Sequence, residues 1–176
     1  MLSYQHAYHA GGPADLHKHA ALAGLLALLK VKKTRAISYL ESHAGRARYD
    51  IAAPEALKTG EALRGVAALE LVEHPYWEAV AAAREEWGPT AYPGSPAIAQ
   101  GLLGPEDRLT LMELHGGEHA ALKAEMAADE RVAVHRRDGA EGLRALTPPE
   151  PRRGLALIDP SYEVKGEYLD TAMLAL

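Results

Sequence analysis

The chain of 176 residues contains no cysteine, which excludes a disulfide framework and a zinc ribbon. It also lacks a long hydrophobic run. The longest near-apolar stretch, Ala20 to Leu29, is half the length a membrane span needs. Met1 leads into the histidine-rich MLSYQHAYHAGG, which has no secretory n-region or cleavage site. No His-Glu-x-x-His pattern occurs, and the spacing of His6, His9, His17 and His19 is unlike helical metal sites, so no metal is expected. A cytoplasmic protein without membrane contact is the expectation. What is present is a hydrophobic content of 48%, too high for a disordered chain and sufficient for one domain.

The net charge of −5 hides a gradient. Residues 1–50 carry seven Lys/Arg against three Asp/Glu, a balance of +4. Residues 51–130 carry five against fourteen, a balance of −9, and residues 131–176 balance at seven each. An acidic whole argues against indiscriminate coating of DNA, although the basic amino-terminal third could face a nucleic acid locally.

Pro13-Ala14-Asp15 opens a helix, and Leu22, Leu25, Leu26 and Leu29 follow at the spacing of a buried stripe. Ala36 to Leu40 reads as a strand running into the loop Glu41-Ser42-His43-Ala44-Gly45. Residues 51–104 are rich in Ala, Glu and Leu and punctuated by prolines, which predicts two or three helices and no strands. Beyond them, strands at Leu109 to Leu114, Arg131 to His135 and Gly154 to Asp159 alternate with helices at Glu118 to Asp129 and Ala140 to Leu146. That alternation predicts an α/β fold with a parallel sheet covered on both faces. Each strand ends in a candidate functional residue: Glu41 to His43, Glu113, Asp138 and Asp159. Ligands of open α/β sheets lie outside the carboxyl ends of the strands, so these residues mark a nucleoside-binding crevice.

Asp159-Pro160-Ser161-Tyr162 carries the sharpest chemistry. An exocyclic adenine amine is a poor nucleophile because its lone pair is conjugated into the ring. Asp159 and the Pro160 carbonyl could accept its two N–H bonds, and Tyr162 could stack on an extruded base. By itself the same tetrapeptide also describes a turn that ends a strand.

Taken in order, these segments resemble the RlmJ family of 23S rRNA adenine-N6 methyltransferases, which an older description links to the use of external DNA. The likeness runs through Met1-Leu2-Ser3-Tyr4 with His6, His9-Ala10-Gly11, Ala14-Asp15, Lys18-His19, His43-Ala44-Gly45, Thr59-Gly60-Glu61, Tyr92 to Pro96, Glu113-Leu114-His115, Asp138-Gly139 and Arg152 to Pro160. The resemblance implies a Rossmann-like S-adenosylmethionine-dependent methyltransferase fold over 1–50 and 105–176. It adds an inserted helical subdomain over 51–104 and a tail, 1–12, that acts as a lid. It assigns S-adenosylmethionine contacts to His19, His43, Ser95, Glu113, Asp138, Gly139 and Asp159. The RNA falls to Tyr4, His6 and Lys18, and catalysis to Asp159 and Tyr162.

Three differences from the family pattern stand out. Ser161 replaces a second proline, Ala47 stands where a glycine with positive φ is usual, and the chain stops at Leu176 after four strands. The sheet is therefore expected to be incomplete, with an open edge that the helix at Glu167 to Leu176 or a second copy of the chain would cover, and with little methyltransferase activity from this chain alone. A non-catalytic family member that binds nucleic acid or a protein partner, or a role in handling external DNA, are the competing expectations.

Overall fold

A computed structural model describes residues 5–32, 35–69, 73–163 and 165–175. The expectation for Tyr4 therefore falls outside the described residues. The chain divides into two compact units. Among the described residues, one comprises those within 36–45 and 105–175, and the other those within 5–35 and 46–104.

The first unit is the Rossmann-like sheet. Its strands are β1 (Ser38–Glu41), β4 (Arg108–Met112), β5 (Val132–His135) and β6 (Gly154–Leu157), in the order β5-β4-β1-β6 with every pairing parallel. Three helices belong to it: α5 (Gly116–Glu125), α6 (Gly139–Leu146) and α7 (Glu167–Leu174). All four residues of β1 are buried, as a central parallel strand requires. Successive side chains of a strand alternate between faces, so Leu40 and Met112 share one face. There they meet Leu143 of α6, with Leu146, Ile158 and Leu174 packed around them. At the opposite end of β1, buried Asp107 accepts the Ile37 N–H at 2.9 Å and fixes where the strand begins.

The last strand is shorter and less buried than its apolar sequence suggests. It ends at Leu157, and its residues alternate between exposed and half-buried, because β6 lies at the edge of the four-stranded sheet. Asp159 consequently sits in the loop beyond the strand, not on it.

The second unit contains α1 (Pro13–Lys32), β2 (Arg48–Asp50), α2 (Pro54–Thr59), α3 (Pro75–Trp87), β3 (Ala91–Pro93) and α4 (Ser95–Leu102). Helices α1, α3 and α4 pack on one another, and α3 packs on β3. The expectation of helices alone between 51 and 104 is corrected here. Ala91–Pro93 forms an antiparallel pair with Arg48–Asp50, with Tyr49 opposite Tyr92. The leucine stripe of α1 is also revised. Leu22 and Leu26 are buried, but Leu25 is half-exposed, and the buried line is continued by Ala23, His19 and Asp15. Among the described residues no helix is long and apolar enough to cross a membrane.

Gly154 lies against β1 so closely that an added Cβ would stand 1.9 Å from the Ser38 carbonyl oxygen. Gly154→Ala is therefore expected to force β6 from its register and to cost about 1–3 kcal/mol, the scale of an overpacked interior site. Urea denaturation measures this, and an unchanged midpoint would contradict the pairing of β6 with β1.

Candidate active site

Four loops leave the carboxyl ends of the parallel strands on one edge of the sheet. The loop after β1 turns back at Ser42, whose N–H donates to the Leu157 carbonyl at 3.0 Å. Ala44 then donates to the Met112 carbonyl at 3.0 Å. Gly45 follows with φ +60, a left-handed conformation that glycine adopts without the cost a Cβ brings. Its N–H donates to Glu113 Oε2 at 2.8 Å, while Glu113 Oε1 accepts the His115 N–H at 2.7 Å. One carboxylate therefore ties the loop after β1 to the loop after β4. Each of its oxygens keeps a lone pair for a further donor.

Asp138 follows β5 and caps α6, its Oδ1 accepting the Glu141 N–H at 2.9 Å. The next residue, Gly139, is buried against the first loop. A Cβ there would meet the Ser42 carbonyl oxygen at 2.1 Å, so only glycine lets the start of α6 lean across the end of β4. Asp159 and Tyr162 follow β6, and Pro160 between them is buried. Tyr162 holds φ 56, one of two non-glycine residues with positive φ among those described, the other being Glu73. That conformation costs a bulky residue roughly 1–2 kcal/mol. Ala47 is not among them, so the strain expected of a Cβ at that position does not arise.

His43 reports the field these loops create. Burial lowers its pKa, and Glu113, Asp138, Asp159 and Glu167 act on it in the opposite direction. The imidazole keeps an exposed edge, and its Nδ1 lies 2.7 Å from the Ser42 hydroxyl. Four carboxylates thus act on one ring whose pKa burial lowers. Of the expected residues, His43, Glu113, Asp138, Gly139 and Asp159 come together in this unit. Glu167 and Ser42 join them. Glu167 lies on the first turn of a helix rather than at a strand end, where no sequence signal marks it.

The tyrosine and carboxylate beneath this edge form a second layer. Tyr39 donates to Glu41 Oε2 at 2.8 Å, both side chains being fully buried. Burial raises the Tyr39 pKa well above its usual value, and Glu41 and then Asp159 add to the rise.

His6, Lys18 and His19 belong to the other unit, where they meet at Asp15. The Asp15 carboxylate accepts from His6 Nε2 at 2.9 Å and from the Gly11 N–H at 3.0 Å, with Lys18 Nζ at 3.2 Å. Burial alone would raise its pKa, but His19, His6 and Lys18 outweigh that and hold the carboxyl well below the usual range. His19 is pushed down to about 3, chiefly by complete burial, with Asp15 opposing. Its Nδ1 lies 2.8 Å from the Tyr92 hydroxyl, which accepts from Tyr76 at 3.3 Å. With Tyr76 donating to Tyr92 and Tyr92 to His19 Nδ1, the ring proton resides on Nε2, 3.8 Å from Asp15 Oδ1. That buried Nε2 has no hydrogen-bond partner. The segment before α1 is held down here as well, since His9 bonds Glu61 at 2.9 Å and Val66 donates to the Gly11 carbonyl at 2.8 Å. Ser95 is buried at the start of α4 in the same unit. Asp15 bonds His6 and Lys18, and Tyr92 joins His19 to Tyr76, contacts for which the sequence carries no expectation. The i, i+4 spacing of Asp15 and His19 was the available signal.

Among the described residues no group of three His, Asp or Glu is arranged to hold a metal ion. A family model described as "Ribosomal RNA large subunit methyltransferase D, RlmJ" matches residues 34–174. The chain is 40% identical over 174 residues to the protein named Ribosomal RNA large subunit methyltransferase J of Escherichia coli (strain K12), a match covering 96% of this chain and 62% of that one. The protein of the same name from Haemophilus influenzae is 38% identical over 175 residues, with the same coverage. A crystal structure of a Legionella pneumophila protein superposes with a TM-score of 0.82 at 36% identity, covering 95% of this chain and 63% of that one. The chain therefore spans less than two-thirds of the length of these relatives.

The buried His19 makes the second unit sensitive to acid. A histidine with a folded pKa depressed from 6.5 to about 3 binds fewer protons folded than unfolded between those values. The stability linked to it is complete above pH 6.5 and falls as the pH drops toward 3. The urea midpoint should decline across that window, and less steeply in His19→Gln, which keeps an acceptor for Tyr92 but cannot titrate. Equal slopes would show that His19 is not the group responsible.

Proposed function

This chain belongs to the ribosomal RNA large subunit methyltransferase family RlmJ, and on that premise we propose that it serves the S-adenosylmethionine-dependent N6-methylation of an adenine in 23S rRNA. The observation that supports the reading is that Glu113 holds the loop of His43, and Gly139, next to Asp138, seats against Ser42 of that loop, at the carboxyl edge of a parallel sheet. The chemistry of this set fits S-adenosylmethionine. Carboxylates accept ribose hydroxyls and an ammonium group, and their summed negative charge suits a sulfonium.

S-adenosylmethionine, when bound, supplies a methyl group on an electron-poor sulfur. The rest is the work of the chain. Glu113, already oriented by two backbone donors, is assigned the ribose hydroxyls. Asp138 is exposed beyond its capping bond and is assigned a further donor of the same molecule, while the close seat of Gly139 on Ser42 fixes where Asp138 stands. Asp159 is assigned one N–H of the adenine amine, and the Pro160 carbonyl the other. Accepting both draws the lone pair out of conjugation with the ring, and the Asp159 carboxylate is the acceptor for the proton the amine gives up. Tyr162 is assigned the face of the extruded base.

The resemblance further assigns His19 and Ser95 to the cofactor, and Tyr4, His6 and Lys18 to the RNA. We carry these assignments on the sequence match alone. A ribosomal RNA substrate places the work in the cytoplasm.

Two measurements test the proposal. Calorimetry with S-adenosylhomocysteine should show binding to the chain, weakened about tenfold or more by Glu113→Ala, the scale of a lost charged hydrogen bond. Whatever transfer of a labelled methyl group to deproteinised 23S rRNA the chain supports should disappear in Asp159→Ala, while circular dichroism shows the fold intact. No heat at millimolar S-adenosylhomocysteine would defeat the reading.

A further inference from the structure

Tyr162 does not stand alone in the loop after β6. Its ring faces that of Tyr168, in the first turn of α7, with centroids 4.5 Å apart and planes 27° from parallel. The two rings differ in how firmly they are held. Tyr162 is half-buried and its backbone sits in a left-handed well, whereas Tyr168 is 63% exposed. The far end of α7 is anchored, since Leu174 packs against the cluster of Leu40, Met112 and Leu143. Its near end meets the loop after β6, because Tyr168 stacks on Tyr162 there.

At 4.5 Å the rings touch and leave no space between them. Admitting a base would widen the gap by about one stacking distance, ~3.4 Å. Widening moves the exposed ring, which gives up little burial. It also exchanges one ring–ring contact for two base–ring contacts, a net gain of one stacked face. The geometry points to a two-walled aromatic site in which Tyr162 and Tyr168 take one unpaired purine of a single-stranded RNA between their rings. This rests on the proposed adenine methylation for the identity of the base. It adds Tyr168 as a second wall and restricts the substrate to RNA that is unpaired at the target.

The test is a fluorescence titration of the whole chain with a short unstructured RNA carrying 2-aminopurine at one adenine position. The unsubstituted chain should quench the probe by stacking. Tyr162→Ala and Tyr168→Ala should each weaken binding about tenfold and reduce the quenching, with Tyr162→Phe and Tyr168→Phe restoring both. Circular dichroism checks that each variant is folded, and the exposure of Tyr168 makes its loss harmless to the core. If Tyr168→Ala binds as well as the unsubstituted chain, or more tightly, while Tyr162→Ala weakens, the second wall is overturned and stacking on Tyr162 survives. If neither alanine variant changes quenching, or the unsubstituted chain does not quench, the base lies elsewhere and the assignment of Tyr162 falls as well.

Discussion

The parallel pairing of β1 with β4 on one side and β6 on the other fixes the rest of the sheet unit. Both pairings begin at Ser38 and end at Glu41, so the strands finish level and their outgoing loops emerge together. A slip of one residue would turn Leu40 away from Met112 and Leu143 and present Glu41 to the apolar cluster in its place. The hydrophobic pattern therefore sets the register, and the register sets which residues crowd the carboxyl edge. Bringing the like charges of Glu113, Asp138, Asp159 and Glu167 within the field of one ring is electrostatically unfavourable in itself. The backbone offsets part of that cost, with Gly45 and His115 donating to Glu113 and Glu141 donating to Asp138. These are charge-assisted bonds, roughly twice as strong as neutral ones.

The second unit resolves a harder version of the same problem. Asp15 is inside, where an isolated carboxylate would neutralise itself rather than remain charged. It stays ionised because His6, Gly11 and Lys18 bring donors to it from the segment before α1 and from α1 itself. The burial of the carboxylate and the ordering of residues 6–11 are thus one event. Removing one partner of such a buried pair costs about 3–5 kcal/mol, far more than an exposed ion pair contributes. Histidine 19 completes the network from the other direction. Its ring is held by Tyr92, which stacks on it at 5.8 Å between centroids and bonds to it.

Much of the sheet unit was legible because its signals are local. Ala36 to Leu40, Arg131 to His135 and Leu109 to Leu114 are short apolar runs between turn residues, and helices alternate with them. The pair Arg48–Asp50 and Ala91–Pro93 had no such signal. Each strand has three residues, some forty residues of helix-rich sequence separate them, and Pro93 reads as a strand breaker. Only their pairing makes them strands. In α1 the period was right but the phase was not. The leucines suggested the inward face, yet Asp15 and His19 occupy part of it because they satisfy each other's neighbours there. Leu25 is left outside. The apolar sequence of β6 suggested a fully covered strand, but burial depends on what lies beside a strand, which its own residues do not encode.

The acidic residues of the two units are distinguished by what remains open on them. Asp15 and Glu41 are almost wholly withdrawn from water, and their oxygens are engaged by side chains and backbone of the chain itself. A ligand would have to break those bonds before making its own. Asp138 is exposed, and Glu113 and Asp159 are half-buried. Where Asp138 and Glu113 bond the chain, the donors are backbone N–H groups that fix direction without filling every lone pair. Such a carboxylate is already paid for in orientation and still has an acceptor to offer, which is the condition under which binding energy is least spent on reorganisation. The same logic separates the tyrosines. Tyr39, Tyr76 and Tyr92 are buried with their hydroxyls bonded inside the fold, whereas Tyr162 and Tyr168 present ring faces at the edge where the strand loops end. Residue type alone marks both groups as candidates for chemistry, and partial exposure selects the set on the carboxyl edge of the sheet.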